Sequence, residues 1–371
     1  KCGSVHFKKE TDIMDVWFDS GSTHAAVLDN RDYLRSPADL YLEGADQYRG
    51  WFQSSLLTSV ATKGVAPYKT IVTHGWVVDG EGKKMSKSLG NTIIPEDIVN
   101  QYGADILRLW VASSDYHADI RISKDILKQL TEAYRKIRNT ARFILGCIGD
   151  FDPDKDAVSL ENLEPIDKWA LNRLDELNNK CKDALDKFEY HIIFPAIHNF
   201  CVVDMSNFYL DVLKDRLYVE KADSETRRAA QTTIYKVLDT LTLLLAPIIS
   251  FTANEIWQFM PHTDDVDARH VVYNAIPDAE GEYDEEFMAR WAKIHEMRDD
   301  VKKALYLGDT DKDGVADRPV ATEYYVLGND IDMAGVQYAN KDNTAFLGIF
   351  DGCGYAIKNL SFDTAKSGNG L

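Results

Sequence analysis

The chain has 371 residues, of which 45% are apolar and 27% charged, and these values exclude a wholly disordered protein. A chain of this length predicts two or three domains. Its longest apolar runs, such as residues 241–251, are shorter than the roughly 20 residues that cross a bilayer, so we expect no contact with a membrane. Five scattered cysteines without a CxxC pair, and the lack of a signal peptide, indicate the cytoplasm.

The net charge of −18 is unevenly distributed along the chain. Residues 261–300 carry −8 and residues 306–371 carry −5, whereas residues 121–142 hold seven basic and two acidic side chains. Charges act within a Debye length of about 8–10 Å, so a polyanion can dock on the basic segment despite the negative total. Nucleic-acid binding therefore remains open.

Residues 1–122 alternate short β-type runs with turns and helices, which predicts an α/β region with a parallel sheet. One strand is predicted over residues 70–78, and another ends near residue 42, before a helix that begins near Gln47. A further helix is predicted to begin at Pro95, because proline is favoured at the first helical position. Ligands of such sheets bind where strands end and helices begin.

Residues 123–305 predict a bundle of long helices, because apolar residues recur every three or four positions. The first helix follows Ser123, and the others are predicted over residues 165–188, 191–218, 224–260 and 284–305. Pro195 and Pro247 are expected to kink or break two of these helices.

Residues 306–371 are rich in glycine and asparagine and predict a short β-rich segment. Its β-type runs lie at residues 324–327, 346–350 and 355–360. Before them, Asp309, Asp311 and Asp313 alternate like the first ligands of an EF-hand calcium loop, although Val320 stands where a bidentate acid is expected. A Ca²⁺ site and a solvated acidic turn both remain open.

A lysine-rich loop at residues 80–90, GEGKKMSKSLG, carries the most informative motif. Lys84 and Lys87 stand three positions apart and can offset the negative charge that develops on a triphosphate. The flanking glycines permit the backbone torsions that a mobile loop needs. The bare pattern also fits an exposed turn, and the chain contains no GxxxxGK[ST] P-loop.

Two further motifs decide between these interpretations. DVWFDSGSTH at residues 15–24 and YLEGADQYRGW at residues 41–51 precede KMSKS at residues 84–88. Together they resemble the class I aminoacyl-tRNA synthetases, and most closely the isoleucine-specific members. The match continues through residues 103–114, 135–143, 208–215 and 245–257, and thus covers residues 12–305.

The resemblance implies an α/β fold followed by an all-α fold. Residues 1–122 are similar to the second half of a Rossmann-like catalytic domain, and residues 123–305 to a helical-bundle anticodon-binding domain. Residues 306–371 do not continue the family pattern and resemble the glycine-rich β-repeat modules of bacterial surface proteins.

The resemblance also implies roles for single residues. Lys84 and Lys87 would stabilise the phosphates of ATP, and Trp17 and Trp51 would form walls of the isoleucine pocket, with a plain core position as the alternative for Trp17. The implied ATP- and adenylate-binding residues are Glu43, Gly44, Asp46, Gln47, His74, Gly75, Met85, Ser86 and Ser88. Among them, Glu43 would contact the adenylate, and Asp46 with Gln47 would hold the ammonium and the ribose. His24 and His117 have no ligand partners nearby in sequence and are expected to be ordinary histidines rather than metal ligands.

The implied activity is the ATP-dependent activation of isoleucine to isoleucyl-adenylate, with Mg²⁺ accompanying ATP, and transfer to tRNA(Ile). Arg135, Arg138 and Arg142 in the basic segment would contact the tRNA, although a solvated helix face remains an alternative. We expect a monomer with no resident metal site.

The family's HIGH-type motif does not occur in this chain and would precede Lys1. We therefore expect an N-terminally truncated fragment that is inactive by itself. The alternative is a catalytically inactive chimera, either tRNA-binding or a surface-repeat protein, that retains a synthetase-derived body.

Overall fold

The computed structural model describes residues 16–279 and 284–306, scattered residues before position 13, and four short strands after residue 323. Asp309, Asp311 and Asp313, on which the calcium prediction depends, lie outside the described residues. Within residues 16–279 and 284–306 we find no helix with the length and hydrophobicity that a bilayer span requires.

Residues 16–122 form an α/β region, as the sequence predicts. Its helices are α1 (Val16–Gly21), α2 (Thr23–Ala26), α3 (Trp51–Lys63), α4 (Pro95–Tyr102) and α5 (Ala104–Ser113), and its strands are β1 (Ala38–Gly44), β2 (Tyr68–His74), β3 (Val77–Val78) and β4 (Ile120–Arg121). β1 and β2 pair in parallel, and α3 is the crossover between them. This arrangement is a βαβ unit, in which the carboxyl ends of both strands lie at one edge.

The strand predicted over residues 70–78 is interrupted at Gly75. A Cβ at this position would lie 2.5 Å from the carbonyl carbon and oxygen of Ala118, so the close approach of the two segments requires glycine. The chain then leaves β2 and continues as β3, which pairs in parallel with β4. The sequence pattern did not show this change of partner because both halves are rich in β-branched residues.

Residues 124–306 form the predicted helical bundle. Its helices are α6 (Lys124–Cys147), α7 (Pro165–Asp186), α8 (Tyr190–Asn199), a π-helix (Phe200–Tyr209), α9 (Leu210–Val212), α10 (Lys214–Tyr218), α11 (Glu225–Leu245), α12 (Ser250–Phe259) and α13 (Glu285–Tyr306). Ser123 caps α6, because its hydroxyl accepts a hydrogen bond from the Ile126 amide at 3.2 Å.

The two prolines act differently from each other. Pro247 separates α11 from α12, as predicted, because proline cannot donate the hydrogen bond that a continuous helix needs. Pro195 lies inside α8 and does not end it, so of the two outcomes expected there a break is excluded and a kink stays a prediction. The helix predicted over residues 191–218 instead changes to π geometry at Phe200, which periodicity at 3.6 residues cannot distinguish from an α-helix.

The four strands of the tail are β5 (Tyr324–Val326), β6 (Ile331–Asp332), β7 (Ile349–Asp351) and β8 (Ile357–Lys358). β5 pairs with β7, and β6 with β8, both in parallel. β5, β7 and β8 overlap the three predicted β-type runs, whereas β6 lies outside them.

Two groups of buried apolar side chains stabilise the described fold. The larger one fills the bundle and includes Trp257, Ile193 and Leu238, each 1% exposed or less. The smaller one lies beneath the lysine-rich loop and contains Ile98, Ile106, Trp110, Ile122 and Leu127. α5 belongs to both, because its Leu109 packs into the larger group.

A buried ion pair connects three helices of the bundle. Asp167 on α7 is fully buried, and its carboxylate accepts two hydrogen bonds from the Arg216 guanidinium at 3.0 and 2.8 Å. The Tyr209 hydroxyl donates to the same carboxylate at 2.6 Å. Burial raises the pKa of Tyr209 well above its usual value, so this phenol stays a donor.

Replacing Asp167 with alanine should lower the free energy of unfolding by about 3–5 kcal/mol, because the largely buried Arg216 charge would lose the carboxylate that neutralises it. Urea unfolding measures this loss. Asp183→Ala is the matched control, since it removes an exposed pair with Lys187 at 2.7 Å and should leave the midpoint almost unchanged. Equal losses in the two variants would contradict a structural role for the buried pair.

Candidate active site

The carboxyl ends of β1 and β2 bring several predicted adenylate-binding residues side by side. Gly44 is the register partner of His74, and Glu43 that of Thr73. A Cβ at Gly44 would lie 2.7 Å from Asp46 Oδ1 and 3.6 Å from His74 Cε1, so a larger residue there would strike the carboxylate. Glu43 and Asp46 are both exposed, which leaves two carboxylates open to solvent at one edge of the sheet.

Gln47 fixes the turn between β1 and α3. Its Oε1 accepts a hydrogen bond from the Trp51 amide at 2.9 Å, and its Nε2 donates to Asp46 Oδ2 at 3.2 Å. The first amides of a helix have no partner inside the helix, so Gln47 supplies one. Asp46 and Gln47 are thereby held in one arrangement.

The two predicted pocket tryptophans have different surroundings. Trp51 stacks on Tyr41 with ring centroids 4.3 Å apart, and its Nε1 donates to the Ser20 carbonyl at 2.8 Å. Trp17 on α1 is 44% exposed, and its Cη2 lies 3.5 Å from where a Cβ of Gly50 would stand. Trp17 is therefore not a core residue, and both indoles border the turn that holds Asp46 and Gln47.

Asp79 and Asn91 organise the lysine-rich loop. Asp79 Oδ1 accepts hydrogen bonds from the amides of Glu81 at 3.0 Å and Lys83 at 2.8 Å, and its Oδ2 accepts from Asn91 Nδ2 at 2.8 Å. Asn91 Oδ1 in turn accepts from the Ser86 amide at 2.9 Å. The Asn91 and Lys83 hydrogen bonds lower the pKa of Asp79, which therefore stays ionised at neutral pH.

The three lysines of the loop are not equivalent. Lys83 Nζ pairs with Glu81 Oε2 at 2.6 Å. Lys84 and Lys87 are exposed, and neither side chain forms a hydrogen bond or ion pair with a residue that the structure describes. Met85 between them packs against the smaller core group. The loop is thus anchored by its methionine and presents two uncompensated ammonium groups to solvent.

The serines of the loop bind to each other rather than to neighbouring elements. Ser86 Oγ and Ser88 Oγ lie 3.1 Å apart, and Ser86 Oγ also accepts from the Leu89 amide at 3.3 Å. Gly82 and Gly90 have φ angles of +84° and +65°, which favour glycine.

The predicted RNA-contacting arginines share one exposed face of α6. Arg135, Arg138 and Arg142 recur at helical spacing, whereas Ile137 and Ala141 on the opposite face are buried. Arg135 pairs with Glu132 at 2.7 Å, and Arg138 lies 3.7 Å from Glu255 on α12. Such exposed pairs exchange easily, so the guanidinium groups remain accessible to phosphate.

His24 and His117 lie in different environments. His24 is buried and bonds Thr58 Oγ1 at 3.1 Å, and His117 is exposed beside Asp115 at 2.9 Å. Across the described ranges no three His, Cys, Asp or Glu side chains converge to hold a metal ion.

The predicted residues form two groups, one at the strand ends and one in the lysine-rich loop, and the two groups lie close together in sequence. Five residues of chain lead from His74, at the strand ends, to Asp79, at the base of the loop. The sequence pattern did not reveal the roles of Asp79 and Asn91, because residues 79–82 resemble an ordinary turn. The available signal was an aspartate at the start of a turn, Asp79, together with Asn91 directly after the last glycine of the loop.

Comparison with known proteins identifies both regions. Residues 1–123 match the tRNA synthetases of class I (I, L, M and V), and residues 167–313 match the anticodon-binding domain of tRNA ligases. The chain belongs to the class I tRNA synthetase family. The resemblance to this family is thereby confirmed, and the two matches extend beyond residues 12–305, to residue 1 and to residue 313.

Curated relatives within this family are named for one amino-acid substrate, isoleucine. The isoleucine–tRNA ligase of Caldanaerobacter subterraneus is 57% identical over 313 residues, which are 84% of this chain and 34% of the relative. That of Moorella thermoacetica is 50% identical over 348 residues, or 94% of this chain and 36% of the relative. The chain spans about a third of the length of the curated relatives it matches.

A solved structure supports the fold. The LeuRS of Agrobacterium radiobacter, in a ternary complex with tRNA and LeuAMS, superimposes with a TM-score of 0.57 at 19% identity. The match covers 73% of this chain and 34% of the other.

Replacing Asn91 with alanine should make the loop more sensitive to trypsin, because it removes the hydrogen bonds to Asp79 and Ser86. We expect roughly tenfold faster cleavage after Lys84 and Lys87, as local opening becomes easier. Asn172→Ala on α7, whose amide donates to the Lys168 carbonyl at 2.8 Å, is the control. Unchanged cleavage would show that Asn91 does not order the loop.

Proposed function

We propose that this chain is part of an isoleucine–tRNA ligase, which activates isoleucine with ATP and transfers it to tRNA(Ile). The supporting observation is the match of both regions, in order and at 57% identity, to proteins of that name. The proposed boundaries, at residues 122/123 and 305/306, fall at the cap of α6 and near the end of α13.

The chemistry proposed for the loop follows from its charge. Lys84 and Lys87 present two ammonium groups that no described acid neutralises, while Lys83 is paired with Glu81. Negative charge develops on pyrophosphate as it leaves, and fixed cations stabilise that charge more than they stabilise the ground state. Met85 would contribute by anchoring the loop, since its side chain packs inward, and Ser86 and Ser88 by bracing it.

The strand ends supply complementary polar groups. The exposed carboxylates of Glu43 and Asp46 suit the ammonium group of an amino acid, and Gln47 holds Asp46 in place. Gly44, Gly75 and His74, at the ends of β1 and β2, would border the nucleotide. Trp17 and the part of Trp51 not covered by Tyr41 would border an aliphatic side chain.

The α6 face would bind the tRNA. Arg135, Arg138 and Arg142 supply positive charge along a chain whose total is −18. Phosphate contacts of this kind position an RNA without reading its sequence. We propose that the protein acts on isoleucine and tRNA(Ile) as a monomer in the cytoplasm.

Replacing Lys87 with alanine should lower isoleucine-dependent ATP–pyrophosphate exchange by about 10²–10³, because a fixed charge donor is removed from the transition state. The assay uses a chimera in which this chain replaces the matching segment of the Caldanaerobacter ligase. Lys83→Ala is the matched control and should change the rate by less than about threefold, since Glu81 already compensates that charge.

A loss below threefold for Lys87→Ala would reject its catalytic role. A chimera that binds tRNA(Ile) but shows no exchange at all would instead favour the catalytically inactive tRNA-binding alternative.

Replacing Arg135, Arg138 and Arg142 together with glutamine should weaken tRNA(Ile) binding and flatten its salt dependence. Removing one arginine–phosphate interaction lowers the slope of log K against log[salt] by about one. Filter binding by the 371-residue chain at several salt concentrations measures both effects. A triple glutamine variant at Lys155, Lys187 and Lys214 changes the net charge by the same amount and is the control. Equal losses of tRNA(Ile) binding in the two triple variants would indicate that binding depends on the net charge and not on the α6 face.

A further inference from the structure

Helix α5 carries two charged side chains that bind the break between α11 and α12. Asp105 and Arg108 stand three positions apart, so both leave α5 on the same side. The residues that they contact lie 139 to 147 positions later in the chain, in the helical bundle. The two side chains therefore connect the α/β region to the bundle.

The Asp105 carboxylate caps α12. Its Oδ2 accepts hydrogen bonds from the Thr252 amide at 2.7 Å and the Thr252 hydroxyl at 2.6 Å, and its Oδ1 accepts from the Phe251 amide at 3.3 Å. The residue before α12 is Ile249, which has no polar side chain to accept these bonds. Because the first amides of a helix need outside partners, α12 depends on a residue from the other region.

Arg108 binds the opposite side of the same break. Its Nε donates to the Ile248 carbonyl at 2.8 Å, and its Nη2 donates to the Pro247 carbonyl at 2.8 Å. The acid thus meets the positive end of α12, while the base meets the carbonyls that follow α11. Tyr134 on α6 completes the contact, with its hydroxyl 2.8 Å from Thr252 Oγ1.

The same short helix also supports the lysine-rich loop. Ile106 and Trp110 belong to the smaller core group, against which Met85 packs. Trp110 Nε1 also donates to the Arg121 carbonyl at 3.0 Å, next to the β3–β4 pair. α5 is therefore in contact with the candidate active site and, through Asp105 and Arg108, with the bundle.

We propose that Asp105 and Arg108 are positioning residues, which hold the helical bundle at one angle to the candidate active site. This inference rests on the proposed function for its catalytic consequence. When that angle is fixed, an RNA bound along α6 reaches the carboxyl ends of β1 and β2 in the correct position. Removal of the two side chains leaves the residues of the candidate active site and of the α6 face in place. It should therefore impair transfer to tRNA, which needs both regions, and spare isoleucine activation.

A distance measurement tests the angle directly. Spin labels at Val65→Cys and Lys221→Cys, both exposed positions, report the separation of the two regions in a chain whose Cys2 and Cys353 are replaced by serine. We expect a narrow distribution in the parent and a distribution at least twice as broad in Asp105→Ala/Arg108→Ala. Asp284→Ala removes the cap of α13, where it accepts from the Phe287 amide at 2.9 Å, and should leave the distribution narrow. An unchanged width in the double variant would overturn the proposal.

Kinetics in the chimeric ligase test the consequence. The double variant should raise the KM for tRNA(Ile) about tenfold, within the range of typical coupling between sites, and leave isoleucine-dependent ATP–pyrophosphate exchange within about twofold. Arg108→Lys keeps the charge but lacks the planar guanidinium that donates from two nitrogens to the Ile248 and Pro247 carbonyls, and should give an intermediate KM. Equal losses in both assays would reject the positioning role. A parent chimera without exchange would refute the proposed function, and the distance measurement would still decide the inference.

Discussion

The packing of α5 between two cores is the constraint on which the described structure depends. Leu109 enters the core of the bundle, whereas Ile106 and Trp110 enter the smaller core beneath the lysine-rich loop. One ten-residue helix therefore belongs to both hydrophobic groups. Burial is non-directional and cannot by itself fix the angle between two such bodies, but hydrogen bonds to helix ends can, because they have preferred directions.

In the candidate active site, too, hydrophobic contacts and hydrogen bonds have different roles. Hydrophobic contact places the loop, through Met85, while Asp79 and Asn91 set its shape by hydrogen bonds to backbone amides. The side chains of Lys84 and Lys87 form no hydrogen bond or ion pair with the described residues, so they do not hold the loop in place. The loop backbone is already ordered, so only the side-chain freedom of Lys84 and Lys87 would be lost when they align with a phosphate.

Charge is also segregated along the fold. The basic side chains of residues 121–142 concentrate on α6, and the acidic excess lies after residue 260. The parallel pairing of β1 and β2 places Glu43 and Asp46 at one edge of the sheet, away from the arginines in sequence. Screening limits the field of each charged group to about 10 Å, so the local charge decides which ligand a surface attracts, and the total of −18 does not.

The sequence by itself determined the class of fold and predicted the members of the candidate site other than Asp79 and Asn91. The KMSKS loop, the YLEGADQYRGW turn and the 3.6-residue periodicity after Ser123 are local patterns, and local patterns survive in the sequence because they depend on near neighbours. Tertiary structure decided what depends on distant contacts. Gly75 breaks the predicted strand because Ala118 approaches it, and Pro195 stays inside α8, whereas Pro247 separates two helices. The cap of α12 comes from Asp105, nearly 150 positions earlier, and no local pattern encodes a hydrogen bond across that separation.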